Sequence, residues 1–291
     1  MTRKEAIKTI AVGSTIAAFG SYAVGNDKQA TGMKSEKLKG NINHSACRWC
    51  YQKIPLEELC AAARDIGLRG IDLLGPDEWP VVVKYGLTCS MTTGLNFGIV
   101  DGFNDPSIHE ALYENYAKLI PMAADNGIVN VICFSGNRKG LSDEAGIENC
   151  ARGLDRVVKI AERHNVILTM ELLNSKVDHA DYQCDRTEWG VKLCEKVGSS
   201  NFKLLYDIYH MQIMEGDVIA TIRKYHPYFS HYHTGGVPGR NEIDYSQELY
   251  YPAIMRAIVD TGFKGFVAQE FVPTAPDPLD SLKSAIEICD V

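Results

Sequence analysis

Four side chains able to hold a metal or move a proton each close a short, mostly apolar run in this chain. Glu171 follows Val166-Ile167-Leu168-Thr169-Met170, and Asp207 follows Leu204-Leu205-Tyr206. His233 ends the run that starts at Tyr228, and Glu270 follows Gly265-Phe266-Val267-Ala268-Gln269. Three carboxylates and one imidazole, with no thiolate, suit Mn2+ or Mg2+ first, and Co2+ or Zn2+ as well. A single Asp or His at a strand end is about as often a helix cap or a hydrogen-bonded loop residue. Four in succession argue against coincidence. A shared cation would offset the cost of burying carboxylates that have no partner.

The chemistry expected of such a set is proton removal next to a carbonyl. Two carboxylates on different sides of a planar enediolate can take a proton and return it, with Lewis-acid help from a bound ion. Return to the opposite face of the same carbon gives an epimer. Return to the neighbouring carbon gives an aldose–ketose type isomer. Glu171 and Glu270 are the candidates for this work. His210, three residues past Asp207, is placed to polarise a substrate oxygen. Arg240, after Pro238-Gly239, suits a carboxylate or a cluster of hydroxyls. Trp49 and Phe103 are candidates to stack on a sugar face, and His44 is a candidate to line the pocket from the end of the first strand. Asp178, His179 and Asp181 lie in a polar loop after Glu171 that would suit a lid.

The elements that must position these residues repeat one beat. Strand-like runs are expected at 41–45, 70–74, 87–92, 129–134, 166–171, 202–207, 228–233 and 266–270. Helical periodicity follows at 56–66, 107–126, 142–164, 187–197, 217–225, 247–261 and 278–289, with a short helix after the second strand. Eight strand-then-helix beats predict an α/β chain folded as a single closed (β/α)8 barrel. Such a barrel places all strand carboxyl ends on one face, and the rest of each strand is expected to fill the lumen with apolar side chains. No G-x-G-x-x-G or P-loop follows any strand, which argues against a dinucleotide fold.

At 291 residues, 45% of them hydrophobic, the chain is long enough for one such domain. The formal net charge of −7 and the lack of a basic stripe make nucleic acid an unexpected partner. Residues 1–40 read differently from residues 41–291, which form the expected catalytic domain. Arg3, Lys4 and Lys8 precede a short small-residue apolar run, the pattern of an export signal, here twin-arginine-like, with a Lys-rich linker behind it. The run is too weakly apolar for a stable membrane span. Export to the periplasm is the expectation, with a cytoplasmic protein the alternative. The nine cysteines are scattered and odd in number, unlike a disulfide framework. Cys47-Arg48-Trp49-Cys50 has no second pair at zinc spacing.

Three segments carry a resemblance: Met170-Glu171-Leu172-Leu173-Asn174-Ser175, Leu204 to Gln212 with its D-x-Y-H-M-Q order, and Gly236-Val237-Pro238-Gly239-Arg240. Together they resemble the hydroxypyruvate isomerase family, part of the xylose-isomerase-like barrels that also include ketose 3-epimerases. The resemblance covers about residue 41 to the C-terminus. It implies metal ligands at Glu171, Asp207, His233 and Glu270, with His210 and Arg240 on substrate oxygens. It also implies a small sugar or keto-acid substrate, such as hydroxypyruvate converted to tartronate semialdehyde, and homo-oligomers are common among such barrels. The third ligand is often Gln in the isomerases and His in the epimerases, so His233 follows the epimerase pattern. Two other readings stay open: an endonuclease-like hydrolase, whose relatives use a three-zinc cluster and a basic face, and a non-catalytic sugar-binding barrel.

The export reading predicts that residues 1–40 fused to a reporter carry it across the inner membrane of a bacterium. A reporter that stays wholly in the cytoplasm refutes it.

Overall fold

The computed structural model describes residues 37–94 and 98–291, so the export-like segment and most of the linker lie outside the described residues. Eight parallel strands close in sequence order, the last pairing back onto the first. They are β1 (Asn43–Cys47), β2 (Gly70–Leu74), β3 (Thr88–Thr92), β4 (Asn130–Cys133), β5 (Ile167–Glu171), β6 (Phe202–Asp207), β7 (Phe229–Thr234) and β8 (Phe266–Gln269). Around them run α1 (Leu56–Ile66), α2 (Trp79–Lys84), α3 (His109–Asp125), α4 (Asp143–His164), α5 (Thr187–Val197), α6 (Ile208–Met214), α7 (Val218–Tyr225), α8 (Tyr251–Asp260) and α9 (Pro278–Cys289). The barrel expected from the eight beats is the fold.

The helices form where an apolar stripe meets a cap. In α4, Cys150, Leu154, Val157, Val158 and Ala161 are buried at helical spacing. Ser142 caps its start by accepting from the Ala145 N–H at 3.2 Å, an arrangement worth about 1 kcal/mol. Two departures from the sequence reading have local causes. Residues 247–250 are not helical: Gln247 Oε1 accepts from the Leu249 N–H at 2.7 Å, and its amide donates to the Leu249 carbonyl at 2.5 Å. That loop closes on itself, and α8 starts at Tyr251 with Pro252 in its first turn. Helix α6, not expected as a helix, begins directly after Asp207, whose Oδ1 accepts from the His210 N–H at 3.0 Å.

The first strand begins two residues later than expected, at Asn43, and Asn41 and Asn43 are tied to the barrel's lower rim. Their side-chain amides donate to the Val291 carbonyl and the Lys264 carbonyl, each at 2.8 Å. The strand therefore ends at Cys47, and alternation fixes its faces. Cys47 points inward, so Ser45 does as well, and His44 points outward into the helix layer. His44 thus does not line the mouth, contrary to the expectation. Its ring is buried, and neither nitrogen has a hydrogen-bond partner.

The lumen also differs from expectation. The large apolar cluster lies between strands and helices, while Met91, Ile132 and Leu205 form a separate small one. Leu205 is two residues before Asp207 and shares its inward face. Beside this plug the interior is polar: Asp72, Ser90, Asn130, Thr169 and His231 are all buried. They satisfy one another in part, as with Ser90 Oγ donating to Asp72 Oδ1 at 2.5 Å.

Burial lowers the pKa of His44 from 6.5 to about 4, with Asp290 opposing weakly. Between those values the unfolded chain binds a proton that the folded chain excludes. Stability is full above pH 6.5 and falls as the pH drops toward 4. At pH 4.5 this site should have cost roughly 2–3 kcal/mol relative to pH 7. Urea unfolding of the wild type and His44→Phe at both pH values should show the variant losing that much less; parallel losses would mean His44 is not held neutral.

Candidate active site

Register brings the four strand-end residues together. Asp207 lies directly across from His233 in the β6–β7 pairing. Glu171 closes β5 next to Leu205 of β6. Glu270 follows β8 and extends its ladder, its N–H donating to the Thr234 carbonyl at 3.1 Å. All four are buried. They surround one atom, Nδ1 of His233: Glu270 Oε2 is 2.9 Å away, Glu171 Oε1 3.4 Å and Asp207 Oδ2 3.9 Å.

The same four side chains offer one ligand atom each, all within 4.8 Å of one another. Ligands of a six-coordinate ion with bonds of about 2.1 Å stand about 3–4 Å apart, so modest closure would seat one. Glu171 Oε1 and Asp207 Oδ2 are buried without any hydrogen-bond partner. Two orphaned carboxylate oxygens aimed at one point, each costly to desolvate alone, fit a divalent cation.

The far side of His233 is held by a residue that sequence reasoning missed. Nε2 lies 2.8 Å from Asp72 Oδ2, the arrangement by which a carboxylate orients a metal-ligating imidazole. Asp72 stands in the middle of Gly70-Ile71-Asp72-Leu73-Leu74. A charged residue inside a fully buried parallel strand was the available signal. Cys47 was also missed as an inward residue. Its Sγ is 3.6 Å from Asp72 Oδ2 and 3.8 Å from His233 Nε2.

Arg240 and Trp49 do reach the mouth. Arg240 Nη2 is 2.5 Å from Glu270 Oε2 and 3.6 Å from Asp207 Oδ2. Its guanidinium stands 5.1 Å from the Trp49 ring and 5.3 Å from the Tyr209 ring, within cation–π range. Trp49 Nε1 donates to Glu270 Oε1 at 2.7 Å. The loop carrying Arg240 folds tightly: its N–H donates to the Gly236 carbonyl at 2.8 Å. A Cβ on Gly236 would lie 2.2 Å from the Glu242 carbonyl oxygen, so only glycine fits there.

His210 is oriented by a chain of hydrogen bonds. Asn174 Oδ1 accepts from the Val177 and Asp178 N–H groups at 3.0 and 2.9 Å, which fixes its amide. Its Nδ2 therefore faces His210 Nδ1 at 2.6 Å, so Nδ1 accepts and the proton sits on Nε2. That Nε2 is buried and without a hydrogen-bond partner. Burial, helped by the Arg240 charge, keeps the ring neutral by moving its pKa well below the usual value. The loop expected as a lid divides: the His179 ring meets His210 edge-on at 5.2 Å, while Asp181 ties down the Arg138–Lys139 turn. Phe103 is fully buried and stacks on Tyr116, so it belongs to the core and not to a sugar-stacking face.

The two glutamates sit in unlike fields. Burial alone would raise Glu270, but Arg240 and His233 outweigh it and hold its pKa well below the carboxylate range. Glu171 is raised, first by burial and then by the Glu270 charge beyond what His233 offsets. Asp207 is raised strongly, again by burial first and Glu270 second.

The chain belongs to the xylose isomerase-like TIM barrel family, which it matches over residues 60–289. A Homo sapiens relative, provisionally named a hydroxypyruvate isomerase, is 28% identical over 233 residues, 77% of each chain. This bears out the resemblance drawn from the three segments, and isomerase is the enzyme class it supports. Two solved structures share the fold. One is titled AP endonuclease, family 2, from Brucella melitensis, with a TM-score of 0.73, 22% identity and coverage of 83% of this chain and 97% of that one. The other is D-psicose 3-epimerase with D-tagatose from Clostridium cellulolyticum H10, with a TM-score of 0.69, 18% identity and coverage of 85% and 98%. Among the described residues, no helix is long and apolar enough to cross a membrane.

Arg240 offsets charge among buried carboxylates, so removing it should be costly. Arg240→Met should destabilise the metal-free protein at pH 7 by roughly 3 kcal/mol in chemical denaturation. A change below about 0.5 kcal/mol, the scale of an ordinary surface substitution, would mean the guanidinium neutralises nothing there.

Proposed function

We propose that this chain is a divalent-metal-dependent isomerase of the hydroxypyruvate isomerase type, acting on a small hydroxy-carbonyl acid. The supporting observation is the pair Glu171 and Glu270 placed around His233 Nδ1, one with a free buried oxygen and the other fixed by Arg240 and Trp49.

Glu171, Asp207, His233 and Glu270 would hold the ion, with Mn2+ or Mg2+ best suited to the oxygen-rich set. When bound, it would supply Lewis-acid stabilisation of the negative charge that develops on substrate oxygens. Arg240, at the rim of the site, would pair with the substrate carboxylate through its planar guanidinium. His210, neutral and carrying its proton on Nε2, would donate a hydrogen bond to a substrate oxygen as that oxygen gains charge. Glu270, held ionised by Arg240 and His233, would take the proton from the hydroxyl-bearing carbon, and Glu171, whose carboxyl pKa burial raises, would deliver one to the neighbouring carbon. The hydroxyl proton passes to the former carbonyl oxygen, so hydroxypyruvate becomes tartronate semialdehyde with no net loss of atoms or electrons.

A ketose 3-epimerase is the second reading, favoured by the imidazole at position 233. In that case both glutamates would act on one carbon from opposite faces.

Proton exchange in D2O, followed by NMR, tests both readings. The chain loaded with Mg2+ or Mn2+, the latter stripped before spectra, should incorporate deuterium into hydroxypyruvate or a ketose, and EDTA should abolish it. The labelled carbon tells isomerase from epimerase. Glu171→Gln and Glu270→Gln should each cut turnover by about 10²–10⁴-fold with the fold intact. Full turnover in both variants would refute the roles assigned to them.

A further inference from the structure

We propose that the barrel contains a second cation site, for a thiophilic divalent ion such as Zn2+, one layer below the first. Its ligands are Cys47 Sγ, Asp72 Oδ2 and His233 Nε2, with the His231 imidazole as the fourth.

Strand alternation aims all four side chains into the lumen. Cys47 ends β1, Asp72 lies in β2, and His231 and His233 are two apart on β7. All four are fully buried. The Sγ–Oδ2, Sγ–Nε2 and Oδ2–Nε2 separations are 3.6, 3.8 and 2.8 Å. A point about 2 Å from all three atoms follows from these lengths, close to zinc's bonds to nitrogen and oxygen and a little short of its bond to sulfur. A small displacement off the plane of the three lengthens all the bonds and opens the fourth position.

His231 supplies the independent observation. Its Nε2 stands 3.2 Å from Asp72 Oδ1, yet both ring nitrogens are buried without a hydrogen-bond partner. A fully buried imidazole with two orphan nitrogens is costly unless something binds it. Cys47 has no part in the proposed isomerisation. One thiolate, one carboxylate and two imidazoles form a borderline-soft, four-coordinate set, which favours Zn2+ over Mg2+ or Mn2+. Binding would release the thiol proton and the Nε2 proton to solvent, and the thiolate and carboxylate would neutralise the ion.

The two sites share one ring. His233 faces the upper group with Nδ1 and the lower group with Nε2. A neutral imidazole has a single lone pair, so an ion below takes from the upper site its only nitrogen ligand. Occupancy of the lower site would then switch off the upper one. This exclusion rests on the metal reading of the upper site, whereas the lower site does not.

Cd2+ is the probe, because a Cd2+–thiolate bond gives an ultraviolet charge-transfer band. One equivalent added to the full wild-type chain should produce the band. Cys47→Ser should abolish it, with Cys47→Ala standing in if the serine variant does not fold. His231→Gln should keep the band but weaken Cd2+ binding about tenfold. Saturating Mn2+, its own binding followed by EPR, should weaken the wild-type Cd2+ affinity at least tenfold. No band, or an equal band in the Cys47 variants from the other eight cysteines, overturns the site. Unchanged affinity in His231→Gln removes the fourth ligand. A band that persists while Mn2+ is bound overturns the exclusion. A band without any Mn2+ binding keeps the lower site and refutes the upper reading.

Discussion

The molecule's central region depends on one imidazole gripped from both sides. His233 has Glu270 Oε2 at 2.9 Å from one nitrogen and Asp72 Oδ2 at 2.8 Å from the other. The two carboxylates come from β2 and the end of β8, so the ring ties three parts of the barrel across its lumen. Closure of the sheet is what allows this. In an open sheet, β2 and β7 would be far apart, whereas in a barrel their inward side chains meet over the axis.

That meeting concentrates charge in a place where charge is costly. Glu171, Asp207, Glu270 and Asp72 are all buried; among the described residues His233 and Arg240 stand beside the first three, and the His231 and His233 rings beside Asp72. The site is therefore under-compensated, as the two orphan oxygens of Glu171 and Asp207 show. The apolar shell between strands and helices supplies the stability that lets the fold carry this strain. Active sites commonly break local rules in this way while the scaffold obeys them.

Much of the architecture could be read from the sequence, because a period of two followed by a period near four survives noise at the edges. The strand ends at Glu171 and Asp207 were legible for the same reason, each being a polar residue closing an apolar run. His44 was misplaced because β1 runs on to Cys47, two residues past its expected end; His44 then lies mid-strand, where alternation turns it outward into the helix layer, and Cys47 takes the mouth end. Asp72 was passed over because it sits inside a run that otherwise reads as plain buried strand. Its partner is 161 residues away, and no local pattern announces a contact across the lumen. Phe103 shows the converse: near a strand end in sequence, it packs on Tyr116 in the core.

Asp207 does two jobs with its two oxygens. Oδ1 caps α6 through the His210 N–H, leaving Oδ2 for the mouth. Glu270 is similar, with Oε1 taken by the Trp49 indole and only Oε2 turned inward. Each therefore has its second oxygen already engaged and turned away, which would weigh against bidentate chelation of a cation. Calcium, which favours six to eight oxygens and paired carboxylate bites, would find too few ligands here. Denticity would thus act as a size filter on any cation held there: a helix cap and an indole, themselves outside the ligand set, would favour a small octahedral ion over a large one.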